Sequence, residues 1–242
     1  MNNFTSNYYI EVNKRLEKIH SMQQENINTA AKLLYDAECN GNKIYTFGTG
    51  HSHLIGQELY ARAGGYAKIY PILETELTLL THPTKSTHIE RMVEYADILE
   101  ILYDIKAGDV VIASSNSGRN ALVIEYMMRL KRRGVQIIAI TSLTHSSQIA
   151  SRHESGLRLF EVADVTIDNY APYGDATTKL DENIKMGPVS TITSCFISQL
   201  IVGNFVEILV KHQHDAPVFK SSNMDGADAY NEFLFKQYVF KK

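Results

Sequence analysis

The chain has 242 residues, 44% of them hydrophobic, and a formal net charge of -3 at a pI of about 6.3. That balance offers no basic patch for nucleic acid or an anionic membrane surface, and the length suffices for a full hydrophobic core. The two cysteines, Cys39 and Cys195, are far apart in the sequence and in no metal or redox motif, so they read as free thiols in a reducing compartment.

Residues 1–10 are polar and lack the apolar run of a secretion signal, which suits a cytoplasmic protein. From about residue 7 to 38 the spacing predicts one long helix. Tyr9, Val12, Leu16 and Ile19 share a face, and Ile27, Ala30, Ala31 and Leu34 resume it. A helix this long suits an arm that packs on its own domain or on a second subunit. Residues 44–47 then form a short β-prone run, and 52–63 read as a helix ending at Gly64-Gly65. Further strands are predicted at 68–73, 109–114, 136–141 and 164–168, and helices at 88–103, 120–133, 146–153 and 189–211. The basic run Lys131-Arg132-Arg133 falls where the helix before Gly134 ends, and cations favour that dipole end. Residues 186–206 carry no charge, but Ser190, Thr191, Thr193, Ser194, Ser198, Gln199 and Asn204 make them too polar for a typical membrane span. They read as a buried helix with Pro188 near its start.

Strands alternating with helices predict an α/β fold, a five-stranded parallel sheet flanked by helices in three layers, flavodoxin-like, behind a long N-terminal helix. The apolar runs at 110–113 and 137–140 suit strands covered on both faces. One domain spans 1–242, with a helical arm at 1–42, sheet and core helices at 43–211 and a tail at 212–242. Ligands of such sheets bind beyond the carboxyl ends of the strands, which selects the loops at 48–52, 114–120 and 141–147. Residues 169–187 show no periodicity, and a segment that long is usually functional or mobile.

The strongest local signal is Ser114-Ser115-Asn116-Ser117-Gly118-Arg119-Asn120, between a buried strand and an amphipathic helix. A helix N-terminus offers free N–H donors and a positive dipole end, which suits a phosphate, and Gly118 lets the backbone close around it. A single serine here would read as an ordinary cap; three serines and a glycine argue for an anion. Gly48-Thr49-Gly50-His51-Ser52 ends the first strand without the third glycine of a dinucleotide loop. Asn169 and Asp175, after the fifth strand, can bond sugar hydroxyls or their own turn, and Tyr170 and Tyr173 can cover a sugar or simply pack.

Together these loops resemble the sugar isomerase (SIS) domain. Residues Ser115 to Asn120 are similar to that family's S-x-S-G-x-[ST] phosphate loop, with Asn120 where a hydroxyl is usual. The loop at 48–52 resembles the G-x-G-G-S of phosphoheptose isomerases, and Glu58-Leu59-Tyr60-Ala61-Arg62 resembles their E-L-x-x-R run. The resemblance covers about residues 43–211 and extends loosely to Pro217-Val218-Phe219-Lys220-Ser221-Ser222-Asn223. It implies phosphate binding by Ser52, Ser115, Asn116, Ser117 and Asn120, Thr49 facing the sugar, and a homodimer or higher homo-oligomer paired through helices.

An aldose–ketose isomerase needs a base and a group that polarises the carbonyl or opens the ring. The resemblance makes Glu58 the base, while an i,i+4 pair with Arg62 is its structural alternative. His51, in the ligand loop, is the second candidate. The final helix, at 189–211, lacks the histidine that phosphoheptose isomerases carry there; His212 and His214 lie past its end and make a poor zinc pair. No metal and no cofactor is expected, and His82 and His88 are left for a partner's site. The expected function is binding and isomerisation of a phosphorylated sugar. The alternatives are a non-catalytic sensor of sugar phosphate and an etherase or lyase acting on an amino-sugar phosphate.

Overall fold

The computed structural model describes residues 3–240; Met1, Asn2, Lys241 and Lys242, the outer ends of the arm and tail, lie outside the described residues. The N-terminal arm is two helices, α1 (Phe4–Met22) and α2 (Gln24–Cys39), where the spacing predicts one. Gln23 leaves helical geometry at φ -111, ψ 7. Its side chain is buried, accepting the Asp168 N–H at 3.2 Å and donating to the Tyr170 hydroxyl at 2.7 Å.

The next elements are β1 (Ile44–Gly48), a 3-10 turn (Gly50–His53) running into α3 (Leu54–Leu59), and β2 (Ile69–Pro71). The helix read at 52–63 stops early because the chain turns to meet the tail: Gly64 donates to the Phe219 carbonyl and Ala67 to that of Pro217, each at 2.8 Å. The helix read at 88–103 is also two, α4 (Lys85–Ile89) and α5 (Tyr95–Leu102). Then follow β3 (Val110–Ser114), α6 (Ala121–Arg132), β4 (Gln136–Thr141), α7 (Leu143–Ser146), α8 (Leu159–Val162) and β5 (Val165–Asp168). The aperiodic segment forms a hairpin, β6 (Ala176–Lys179) and β7 (Lys185–Pro188), with Thr178 opposite Met186. Last come α9 (Ser190–Lys211), which takes up most of the uncharged segment, and α10 (Ala227–Leu234).

The five main strands are all parallel, in the order β2-β1-β3-β4-β5. Alternate residues face opposite layers, as strand geometry requires. Ile44, Val110, Ile112, Ile138 and Ile140 pack with Ile27, Leu34, Ile197 and Phe205 of α2 and α9. Tyr45, Phe47, Val111, Ala113, Ile137 and Ala139 pack with Leu99 of α5 and Leu122, Tyr126 and Met127 of α6. This is the three-layer α/β architecture expected. From β1 the chain runs outward to β2 and then returns to β3 on the other side, so the loops after β1 and β3 diverge and leave a crevice.

Candidate functional site

A cavity of about 480 Å³ fills that crevice. Its walls come from the loop after β1 (Thr49, Gly50, His51, Ser52), the loop after β3 (Ser115, Asn116, Ser117, Asn120), the carboxylate of Glu90, and the start of α9 with the hairpin ends. A larger cleft of about 860 Å³ opens at the opposite end of the sheet, where the strands begin, between Lys43, Tyr103 and Asp109. The smaller cavity is the candidate site, because open parallel sheets bind ligands at the carboxyl ends.

Both loops are shaped by close approach. A Cβ on Gly48 would stand 2.4 Å from the Ser52 carbonyl oxygen, so only glycine lets the 3-10 turn fold back over the strand end. Gly118 takes φ +58, and the Ser115 hydroxyl accepts its N–H at 3.2 Å. The loop is tied from behind: Ser142 donates its N–H to the Asn116 carbonyl at 3.1 Å, and the buried Asn169 amide donates to Asn116 Oδ1 at 3.1 Å.

Asn120 occupies the N-cap position of α6, yet its side chain does not cap the helix. Among the described residues the N–H groups of Ser117, Arg119, Asn120 and Ala121 donate to no other group, and Leu122 donates to the Glu90 carbonyl at 3.1 Å. Unclaimed N–H donors and the Ser117 hydroxyl thus stand at the positive end of a 12-residue helix, an arrangement that favours an anion.

Glu90 enters the site from the break between α4 and α5. Its Oε2 accepts the Thr49 hydroxyl at 2.7 Å. Burial pushes its carboxyl above the ordinary range, opposed by hydrogen bonds from Thr49 and Asn120 and by the charges of Arg152 and Arg91. Ile89, Val93, Ala96 and Leu99 keep helical spacing across the break, so nothing in the sequence pattern marks it. Glu90 therefore carries no site signal in the sequence, and neither do Ser190 and Thr191 at the start of α9.

The structure brings together Thr49, His51, Ser52, Ser115, Asn116, Ser117 and Asn120 around one cavity. It does not bring Glu58 there. Glu58 pairs with Arg62 on the face of α3 that meets α9, and accepts from the Gln199 amide at 3.0 Å. His82 and His88 are exposed and outside the cavity. Asp175 lines the cavity, but its carboxylate is already engaged with Val189 N–H at 3.0 Å, Ser190 N–H at 2.8 Å and the Ser190 hydroxyl at 2.6 Å. Asn169 is fully buried and braces the loop, while Tyr173 stacks on His145 at 4.8 Å. Among the described residues no cluster of three or more histidine, cysteine or acidic side chains is placed to hold a metal.

A family model described as the SIS domain matches residues 7–142. A UPF0309 protein of Halalkalibacterium halodurans is 41% identical over 94% of this chain and 94% of its own length. Another from Oceanobacillus iheyensis is 39% identical over 97% and 96%. Among solved structures, a phosphoheptose isomerase from Neisseria gonorrhoeae aligns with a TM-score of 0.54 at 19% identity, over 83% of this chain and 96% of that one. The NanR protein of Vibrio vulnificus complexed with ManNAc-6P aligns with a TM-score of 0.54 at 13% identity, over 88% and 66%. At these identities the structural likeness is one of fold.

Proposed function

This chain belongs to the SIS domain family, and from that premise we propose that it binds a phosphorylated sugar in the β1/β3 crevice and isomerises it. The observation that carries the reading is a single cavity that holds both an anion cradle, at Ser115–Asn120, and a half-buried carboxylate, Glu90. The phosphate takes the free N–H groups and the hydroxyls of Ser115 and Ser117, with Ser52 across the cavity. The sugar then extends toward Thr49, His51 and Glu90.

The chemistry follows from a base with a raised pKa. Glu90 removes the proton on the carbon next to the carbonyl. The electrons of that C–H bond form the enediol double bond, and the carbonyl oxygen takes a proton, for which His51 lines the cavity as a donor. The hydroxyl on the carbon that lost its proton then gives up its own proton and becomes the new carbonyl, while the former carbonyl carbon takes a proton back from Glu90. Glu58 is kept as the competing base, since in this account it reaches the ligand only if a second subunit or a rearranged α3 brings it there.

A thermal-shift series tests the binding claim. At 100 times Kd a sugar phosphate adds about 2.7 kcal/mol, or roughly 5–10 °C at this chain length. Equal shifts with the unphosphorylated sugar reject the phosphate assignment. We further propose a cytoplasmic homodimer. Its support is α9, of which only 44% of the most apolar window is buried, together with exposed Ile192 and Val210. Light scattering at micromolar concentration then reads about twice 27.3 kDa; a monomer reading rejects the pairing, and recovery in a membrane fraction rejects the location.

A further inference from the structure

Arg152 touches this site through Asn120 without itself lining the cavity. It lies between α7 and α8, and its backbone N–H donates to the Arg119 carbonyl at 2.9 Å. The next residue, His153, anchors the segment: it is buried, with its two ring nitrogens 2.8 Å from the Ser155 hydroxyl and 2.9 Å from Glu125. From this fixed backbone the Arg152 guanidinium reaches Asn120, with Nη1 2.7 Å from Oδ1. Arg152 forms no ion pair with a carboxylate among the described residues, although it stands close to Glu90.

An asparagine amide has two faces of opposite character, and only its partners decide which way it turns. A guanidinium has donors only, so Asn120 must present its oxygen to Arg152. The amide nitrogen, with two hydrogens, is left on the side of Glu90, whose charged form it favours and whose Oε2 accepts the Thr49 hydroxyl at 2.7 Å. Three elements thus converge on one carboxylate: the β1 loop through Thr49, the α6 N-cap through Asn120, and the α7–α8 segment through Arg152. This also accounts for an N-cap asparagine that does not cap its helix.

We infer that Arg152 is a positioning residue: it locks the Asn120 amide with its oxygen outward, so that the amide nitrogen donates to Glu90 and holds that carboxylate beside Thr49, facing the cavity. The catalytic meaning of this rests on Glu90 being the base; the geometry itself does not. The charged groups around Glu90 are Arg91, its chain neighbour, and Arg152, which feels Arg119 in turn. His51 shares the cavity. All but Arg152 are held constant in the test.

The Glu90 carboxyl is titrated by carbon-13 NMR in the full chain, with Glu90→Gln to assign its signal. Arg152→Gln raises the midpoint by about 1 pH unit or more, and Asn120→Leu does so with Arg152 still present. In the double variant the Arg152 change adds less than half of what it adds alone, because the amide that transmits it is gone. If the leucine variant does not fold, Asn120→Ala removes the same amide without adding a charge and raises the midpoint likewise. An Arg152 effect of equal size in both backgrounds reports charge alone and overturns the positioning role; so does an unmoved midpoint in the Asn120 variants. A coupled midpoint with no proton exchange on any bound sugar phosphate upholds the positioning and removes Glu90 as the base.

Discussion

At the scale of single residues, the difference between Glu58 and Glu90 is instructive. Glu58 sits in a recognisable sequence run, but on its own chain it meets Arg62 and Gln199. Glu90 sits in no motif, and its placement depends on a helix break that the apolar spacing runs straight through. The loop residues were legible for the opposite reason. Ser115, Ser117, Gly118 and Asn120 are close in sequence, and local chain geometry alone gathers them at the start of α6. Glu90 also has a thermodynamic signature. A carboxyl whose folded pKa is raised is most at ease below its unfolded pKa, and the folded state loses that advantage as pH rises through the folded pKa. Glu90→Gln removes the charge without changing shape. The variant should therefore unfold at a higher temperature than wild type at pH 7–8, with the difference closing as pH falls below about 4. A scan across that range checks it, and a variant less stable at pH 8 than wild type contradicts a strained carboxylate.

At the scale of elements, the strands were read well because each is a short apolar run bounded by glycine or polar residues. The breaks were not, because each comes from a contact distant in sequence. Gln23 ends α1 to satisfy Asp168 and Tyr170, some 145 residues away. The β6–β7 hairpin has exposed Leu180, Ile184 and Met186 without clean alternation, so it carries no strand signal. Its N-terminal end is fixed by Asp175, at φ +68, whose carboxylate closes the start of α9. The Gln23 contact gives an element-scale prediction. Gln23→Ala leaves the buried Asp168 N–H without its acceptor and should cost about 1–3 kcal/mol in denaturant unfolding. A loss below about 0.5 kcal/mol, within the range of an ordinary surface change, means the break is not held by that side chain.

At the scale of the whole molecule, what places the site is strand order. The sequence predicts alternating strands and helices and the edge of the sheet where ligands bind, but not which two loops diverge. That follows from β1 lying between β2 and β3, a non-local pairing with no local code. The crevice this creates lets the start of α6, the β1 loop and the α4–α5 break face one another, and proton transfer there is the central claim. The direct measurement is exchange of the proton next to the carbonyl of a bound sugar phosphate in deuterated water, followed by NMR in wild type, Glu90→Gln and Glu58→Gln. Exchange is expected in wild type, with a loss of about 10²–10⁴-fold in Glu90→Gln with binding retained, and little change in Glu58→Gln. Exchange that persists in Glu90→Gln and disappears in Glu58→Gln would contradict it and return the base to α3.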